Sequence, residues 1–189
     1  GLDQYLVAKS LRFNDDDTGY LNKTPSSVGS RTTWTWSGWV KRSAIDGSGS
    51  YVILSAGASS ANNTLIRFDE DKFDIYQFNN PTTDFRYITD AVYRDCASWA
   101  HYVVAMDTTS STAGERLRLY INGSEVSDFS TETHPSLNAT TFINSTDSHQ
   151  IGKHAPGTTQ YFDGLISDVH FVDGQQLDAT SFGETATTG

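Results

Sequence analysis

Strand-like segments recur every eight to twelve residues along almost the whole chain of 189 residues, a spacing typical of a β-sandwich or barrel. Residues 33–41 show the pattern most clearly, because successive side chains of a strand point to opposite faces. The two sets that alternate there are Trp34, Trp36, Gly38 and Val40 against Thr35, Ser37, Trp39 and Lys41. No apolar stripe of helical period extends beyond two turns. The sequence therefore predicts an all-β protein, with one helical turn at residues 177–182.

Length, charge and cysteine content narrow the class of protein. A β-sandwich of this length forms one domain, which we expect to span residues 1–189. The net charge of −10 disfavours nucleic acid as a partner, because phosphate backbones are also anionic. The single cysteine, Cys96, excludes an internal disulfide, and we expect it to be an inert, partly buried thiol. No apolar run is long enough to span a membrane, and the first residues lack the pattern of a signal peptide, which is absent or already removed.

The turn signals and apolar alternation predict two antiparallel sheets of six or seven strands each. Asn122-Gly123 is the strongest hairpin signal in the chain. The acidic run 69–72 predicts a solvated hairpin tip, and residues 56–64 and 130–144 are expected to be long loops. The residues predicted to line the core between the sheets are Trp34, Trp36, Val40, Leu117, Leu119, Ile121, Val169 and Phe171.

Five short motifs, in order, resemble the concanavalin A-like lectin/glucanase superfamily in its laminin-G/pentraxin-like branch. They agree in order and spacing from about residue 10 to residue 184. The resemblance implies a two-sheet jelly-roll sandwich; fold alone does not fix function. The motifs lie at residues 10–21, 36–41, 99–104, 119–123 and 151–169.

Three further segments are similar to domains in virion proteins of tailed phages, notably marine ones: residues 31–42, 173–177 and 181–184. This similarity implies a tail fibre, a tail-associated protein or a capsid decoration protein on the particle surface. Its partners would be other virion subunits, host-surface glycan and further copies of the chain. Two alternatives stay open: a secreted, extracellular lectin-like adhesion module, and a polysaccharide-degrading enzyme of the glucanase type.

The sequence lacks the catalytic residues that the enzyme alternative requires. Glycoside hydrolysis uses a pair of carboxylates, and the glucanases that this chain resembles carry Glu-x-Asp-x-x-Glu, or a version one residue shorter, on one strand. No such run occurs, and other catalytic signatures are also missing. The sequence therefore predicts a protein without enzymatic activity. The glutamates that lack the required acidic partners are Glu70, Glu115, Glu125, Glu132 and Glu184.

Carbohydrate is the leading ligand hypothesis, because sugars bind to aromatic rings flanked by planar hydrogen-bonding side chains. Trp39 alternates away from the predicted core, so we expect it in a ligand groove or under one of the loops 56–64 and 130–144. Tyr76 reaches a second surface. The alternative is that these aromatic residues only cover the outer sheet faces. The candidate carbohydrate-binding residues are Trp39, Tyr76, Arg116, Arg118 and Tyr120.

Calcium is the only cofactor that the resemblance suggests, since many relatives bind it through aspartates and backbone carbonyls. The candidates are Asp17, within the acidic turn 15–17, together with Asp163 and Asp168. Asp168 is one residue away from the position that a calcium-binding aspartate takes in some relatives, and Ser167 holds that position. Aspartates are also common in turns that bind no metal.

Overall fold

The structure, a computed structural model, describes residues 7–157 and 159–183. The regular structure of this part is almost entirely strand, with two short 3₁₀ helices at Ala113–Glu115 and Ala179–Ser181. The strands are β1 (Leu11–Phe13), β2 (Leu21–Lys23), β3 (Thr33–Arg42), β4 (Ser50–Ser59), β5 (Asn62–Asp69), β6 (Lys72–Asn79), β7 (Thr82–Val92), β8 (Ala100–Asp107), β9 (Leu117–Ile121), β10 (Ser124–Glu125), β11 (Phe129–Thr133), β12 (Ser148–Ile151) and β13 (Gly164–Asp173).

The strands form two antiparallel sheets, which confirms the predicted sandwich. The six-stranded sheet has the order β1-β13-β3-β8-β9-β10, and the seven-stranded sheet has the order β11-β7-β6-β5-β4-β12-β2. The chain forms the middle of the seven-stranded sheet by consecutive hairpins from β4 to β7. Each sheet also pairs strands that are far apart in the sequence: β13 pairs with β3 in one sheet, and β12 pairs with β4 in the other.

The core lies between the sheets and is rich in aromatic side chains. Predicted core residues Trp34, Trp36, Val40, Leu117 and Leu119 are buried there, and Ile121 packs against it half-buried. Burying each large apolar side chain stabilises the fold by ~1.5–3 kcal/mol. The facing sheet contributes Tyr51, Ile53, Leu54, Ile66, Phe68, Phe73, Ile75, Phe85 and Tyr87.

Two predicted core residues, Val169 and Phe171, are instead 37% and 41% exposed. The pairing of β13 with β3 shifts between Ser167 and His170, and Asp168 takes a left-handed φ of 46° within this bulge. The edge strand β1 pairs with β13 only at residues 164–166. Beyond residue 166, β13 has no neighbouring strand on the β1 side, so its inner face lies at an open edge of the sandwich. Val169 and Phe171 therefore stay accessible to solvent. Phe171 still stacks on Trp34 at 6.1 Å.

Three predicted loops and turns differ in the structure. Residues 56–64 are not a loop but the ends of β4 and β5 with their tight hairpin. Residues 130–144 begin with β11, which pairs with β7. The 69–72 hairpin forms as predicted, but it is not solvated throughout, because Asp71 is buried and bonded to Arg42 and Arg94 at 2.8 and 2.7 Å.

Cys96 is exposed rather than partly buried. It lies in the irregular segment between β7 and β8, which runs over the surface. Its Sγ atom is 3.7 Å from the carbonyl oxygen of Ser43.

Candidate functional site

The outer face of the seven-stranded sheet carries a polar cluster around Tyr76. Alternation along β6 sends Phe73 and Ile75 into the core and Asp74 and Tyr76 outward. On one side Asp74 pairs with Arg67 of β5, and on the other Tyr76 pairs with Arg86 of β7. We call the outward set Arg67, Asp69, Asp74, Tyr76 and Arg86 the Tyr76 face.

A chain of ion pairs fixes the two guanidinium groups of this face. Asp74 Oδ2 accepts hydrogen bonds from Arg67 Nε and Arg86 Nη2, both at 2.9 Å, and Asp74 Oδ1 accepts one from Arg86 Nε at 3.1 Å. Asp69 Oδ2 accepts from Arg67 Nη2 at 2.9 Å. The Asp74 side chain is fully buried, whereas those of Asp69 and Arg86 are 28% and 34% exposed. A rigid, buried carboxylate therefore holds polar groups that solvent can reach.

The Tyr76 ring lies among these charges. The guanidinium carbons of Arg67 and Arg86 are 4.8 and 5.4 Å from its centroid, within the range of cation–π contacts. Burial raises the pKa of Tyr76, so its hydroxyl is protonated at neutral pH and can donate and accept a hydrogen bond. The ring is half-buried, as is that of Phe78, the next outward residue of β6.

The segment between β12 and β13 borders the face. Ser55 Oγ donates to the carbonyl of Lys153 at 2.6 Å and accepts from the backbone N–H of Ala155 at 2.8 Å. Two buried side-chain atoms of this segment, His154 Nε2 and Gln160 Oε1, have no hydrogen-bond partner among the described residues. Buried polar groups are nearly always paired, so these two atoms are exceptions within the described residues.

The chemistry of the Tyr76 face suits polyhydroxylated ligands. Guanidinium and carboxylate groups set side by side supply donors and acceptors that match neighbouring hydroxyl groups, and charge-assisted hydrogen bonds of this kind are the strong ones. An aromatic ring supplies an apolar surface for the C–H groups of a sugar ring. Tyr76 was predicted from the sequence, whereas Arg67, Asp69, Asp74 and Arg86 were missed. Their alternation on β5, β6 and β7 was the available signal.

Three of the predicted carbohydrate-binding residues, Trp39, Arg118 and Tyr120, lie on the outer face of the six-stranded sheet. Residues 174–182 cover that face. Thr35 Oγ1 donates to the carbonyl of Gln175 at 2.7 Å and accepts from the backbone N–H of Leu177 at 2.9 Å. Ala179 and Phe182 pack against Val103 and Tyr120. We call residues 174–182 the C-terminal cap, and neither of the predicted covering loops takes its place.

The cap changes the roles expected for these residues. Tyr120 is only 6% exposed beneath it, so its ring is not available for stacking on a sugar. Arg118 donates to both carboxylate oxygens of Glu125 at 2.7 and 2.6 Å. Trp39 does point outward as predicted, but it is half-buried, with its ring centroid 5.1 Å from that of His101.

Arg116 belongs to neither face. It precedes β9, and its guanidinium donates to the backbone carbonyls of Ser110 and Pro135 at 2.9 and 2.8 Å. These contacts tie two surface segments together. The five predicted residues thus separate into Tyr76 on one sheet, Trp39, Arg118 and Tyr120 on the other, and Arg116 in a connecting loop.

The three calcium candidates are not gathered into one group. The carboxylate of Asp17 accepts from Asn14 at 3.0 Å, and that of the exposed Asp168 accepts from Ser167 at 3.2 Å. Burial, together with the charge of Asp15, raises the pKa of Asp163. Residues 7–157 and 159–183 contain no group of three or more His, Cys, Asp or Glu side chains that could hold a metal ion. A calcium site therefore stays a prediction.

No helix in the described part of the chain has the length and apolar character needed to cross a membrane.

Solved structures with related folds include several sugar-binding proteins. Domain 4 of AbnA, an extracellular GH43 arabinanase from Geobacillus stearothermophilus in complex with arabinotriose, has a TM-score of 0.56 at 17% identity, covering 78% of this chain and 64% of that one. CBM40 of the Ruminococcus gnavus IT-sialidase, bound to α2,3 sialyllactose, has a TM-score of 0.56 at 12% identity, covering 85% and 95%. Domains LG4-5 of the mouse laminin α1 chain have a TM-score of 0.59 at 12% identity, covering 88% and 41%. These identities establish a shared fold, and this chain spans less than two thirds of the arabinanase and laminin chains.

No curated protein sequence matches the chain. A family model, however, matches residues 15–180, which include both sheets from β2 to β13 and most of the C-terminal cap. The chain therefore belongs to the Concanavalin A-like lectin/glucanases superfamily.

Proposed function

We propose that this domain binds carbohydrate through the Tyr76 face, without catalysing a reaction on it. The observation that carries the proposal is the pair of arginines held against Tyr76 by the buried carboxylate of Asp74. Such a surface is preorganised, so binding a sugar does not require ordering of these side chains. The arabinotriose and sialyllactose complexes of proteins with this fold support the same ligand class.

The absence of catalysis is part of the proposal. Asp69 and Asp74, the carboxylates of the face, both accept hydrogen bonds from guanidinium groups, an arrangement that serves to orient ligand-binding groups. Glycan that binds to the domain should therefore be recovered intact. Release of reducing ends above that of a heat-inactivated sample, lost on mutation of Asp69, would contradict this part of the proposal.

A glycan array followed by calorimetry with the best ligand tests the binding site. Tyr76→Ala and Arg86→Ala should each weaken binding at least about tenfold, because aromatic and arginine side chains dominate binding energies. Asp74 keeps Arg67 as a partner in Arg86→Ala, so this variant should still fold.

Arg118→Ala is the matched control for Arg86→Ala. It removes a guanidinium of similar exposure, 35% against 34%, that also pairs with a carboxylate but lies on the capped sheet. Its affinity should equal that of the unaltered protein. Full affinity in both variants of the Tyr76 face would place the binding site elsewhere.

We further propose that the domain works on the surface of a tailed-phage particle, as part of a tail fibre, a tail-associated protein or a capsid decoration protein. Residues 31–42, 173–177 and 181–184 resemble segments of tailed-phage virion proteins, and this resemblance is the support for the proposal. The host glycan would then be the ligand of the Tyr76 face. The purified domain should bind whole bacteria, with soluble polysaccharide from their surface as a competitor. If it binds secreted animal or plant glycans and no bacterial polysaccharide, an adhesion module of a cellular protein replaces this proposal.

A further inference from the structure

A pocket of about 230 Å³ lies at the end of the sandwich where β3 and β7 end and β8 begins. It draws on the ends of both sheets, whereas the Tyr76 face lies on the outer face of one sheet. Its volume is below the ~300–1,000 Å³ typical of pockets for drug-sized ligands. The pocket therefore has room for a single sugar ring and not for a longer chain.

The walls of this end pocket combine aromatic and polar groups. Trp99 is half-buried, and its indole nitrogen makes no hydrogen bond to a described residue. Asn122 is pinned in the hairpin turn after β9, since its Oδ1 accepts from the backbone N–H of His101 at 2.9 Å. Its Nδ2 has no partner in the described part of the chain and stays available as a donor.

The pocket also carries more positive than negative charge. Arg42 and Arg94 share one carboxylate, that of Asp71, at 2.8 and 2.7 Å. Arg42 is buried, with its guanidinium 4.5 Å above the Phe68 ring. Arg94 is 58% exposed and contacts Asp71 only through Nε, so its two terminal nitrogens donate to no described residue.

The remaining charges at the rim do not cancel this surplus. The exposed Asp95 accepts a hydrogen bond from the backbone N–H of Ala97 at 2.7 Å. Among the residues that line the pocket, the guanidinium groups of Arg42 and Arg94 accompany one carboxylate, that of Asp95, in a domain whose net charge is −10. Arginine binds carboxylates through two parallel hydrogen bonds, and the free edge of Arg94 offers this geometry to a ligand.

We propose that the end pocket binds one sugar residue that carries a carboxylate, such as a uronic acid, independently of the Tyr76 face. The sugar ring would lie against Trp99, its hydroxyl groups would bond to Asn122 and Asp95, and its carboxylate would pair with Arg94. The domain would then hold two carbohydrate sites.

Nuclear magnetic resonance titration tests this inference with three ligands: methyl β-glucuronide, methyl β-glucoside and acetate. The indole N–H signal of Trp99 should shift with the glucuronide, and the apparent affinity for the glucoside should be at least about tenfold weaker. Acetate should give no comparable shift. No shift of the Trp99 signal with the glucuronide, or equal responses to the glucuronide and acetate, would overturn the proposal.

Variants separate this pocket from the Tyr76 face. Arg94→Gln should remove the preference for the glucuronide, and Trp99→Ala should abolish the response of the Asn122 side-chain amide to both sugars. Arg94→Lys, which retains a cation beside Asp71, controls for the stability of the fold. Arg86→Ala should leave glucuronide binding here unchanged, so failure of one site is distinguishable from failure of the other. A preference for the glucuronide that survives Arg94→Gln would refute the assigned role of Arg94.

Discussion

Trp39 lies on the outer face of the six-stranded sheet, beside His101 and the C-terminal cap. Because it is half-buried, Trp39→Ala should lower the free energy of unfolding by about 2 kcal/mol, less than the ~3–5 kcal/mol lost when a fully buried Trp is truncated. Glycan binding should be unchanged, since the Tyr76 face is on the opposite sheet.

Urea denaturation of Trp39→Ala, with Lys41→Ala as the control, measures this effect. Lys41 is the next outward residue of β3 and makes no side-chain hydrogen bond or ion pair to a described residue, so its truncation should cost less than ~0.5 kcal/mol. A Trp39→Ala protein with full stability and lost glycan binding would assign the ligand to the capped face instead.

The same residue shows what alternation can and cannot predict. The period of two placed Trp39 opposite Trp34, Trp36 and Val40 correctly, because that direction follows from local strand geometry. What covers an outward side chain depends on distant parts of the chain. Thr35 bonds to Gln175 and Leu177, some 140 residues away, and no local pattern in β3 indicates this contact. Tyr120 was therefore assigned to a ligand although the cap buries it.

At the scale of elements, hairpins with strong turn signals were predictable. The strand pair around Asn122-Gly123 forms as expected, with left-handed φ values of 50° and 84°. The β4–β5 hairpin was missed, because its tip is rich in Ser, Ala and Asn, a composition that resembles a loop. The bulge in β13 was also missed, and it moved Val169 and Phe171 from the core to the open edge.

The polar cluster of the seven-stranded sheet is a property of three elements together. Arg67, Asp74 and Arg86 lie on three strands, and each alone has the appearance of an ordinary solvent-facing residue. Their pairing depends on the register of β5 with β6 and of β6 with β7. Register follows from the hairpin turns and the buried side chains. The sequence therefore predicted which way Tyr76 points, but not which residues of the adjacent strands lie beside it.

For the whole molecule, two buried histidines, His101 and His154, and the half-buried His149 predict a dependence of stability on pH. Burial lowers the pKa values of His101, His149 and His154. His149 also accepts a hydrogen bond from the backbone N–H of Asn144 at 2.9 Å, which its protonated form could not do. In the unfolded chain these histidines become protonated near pH 6.5, whereas in the folded protein they stay neutral to a lower pH.

The free energy of unfolding should therefore be greatest above about pH 6.5 and should fall as the pH drops toward about 5.5. Denaturant titrations at about pH 8 and about pH 5.5 measure the change. His154→Gln, which stays neutral at both values, should show a smaller loss than the unaltered protein. Stability that is constant or rises over this interval would contradict the proposed effect of burial.

The proposed function depends on sugar binding to the outer face of the seven-stranded sheet. Backbone and arginine side-chain ¹H–¹⁵N spectra, recorded while the best neutral glycan of the array is added, test it most directly. The largest shifts should occur at Tyr76 and at the Nε–H groups of Arg67 and Arg86, and Ser37 and Trp39 should be unaffected. Shifts concentrated at Ser37, Trp39 and the C-terminal cap, with none at Tyr76, would contradict it.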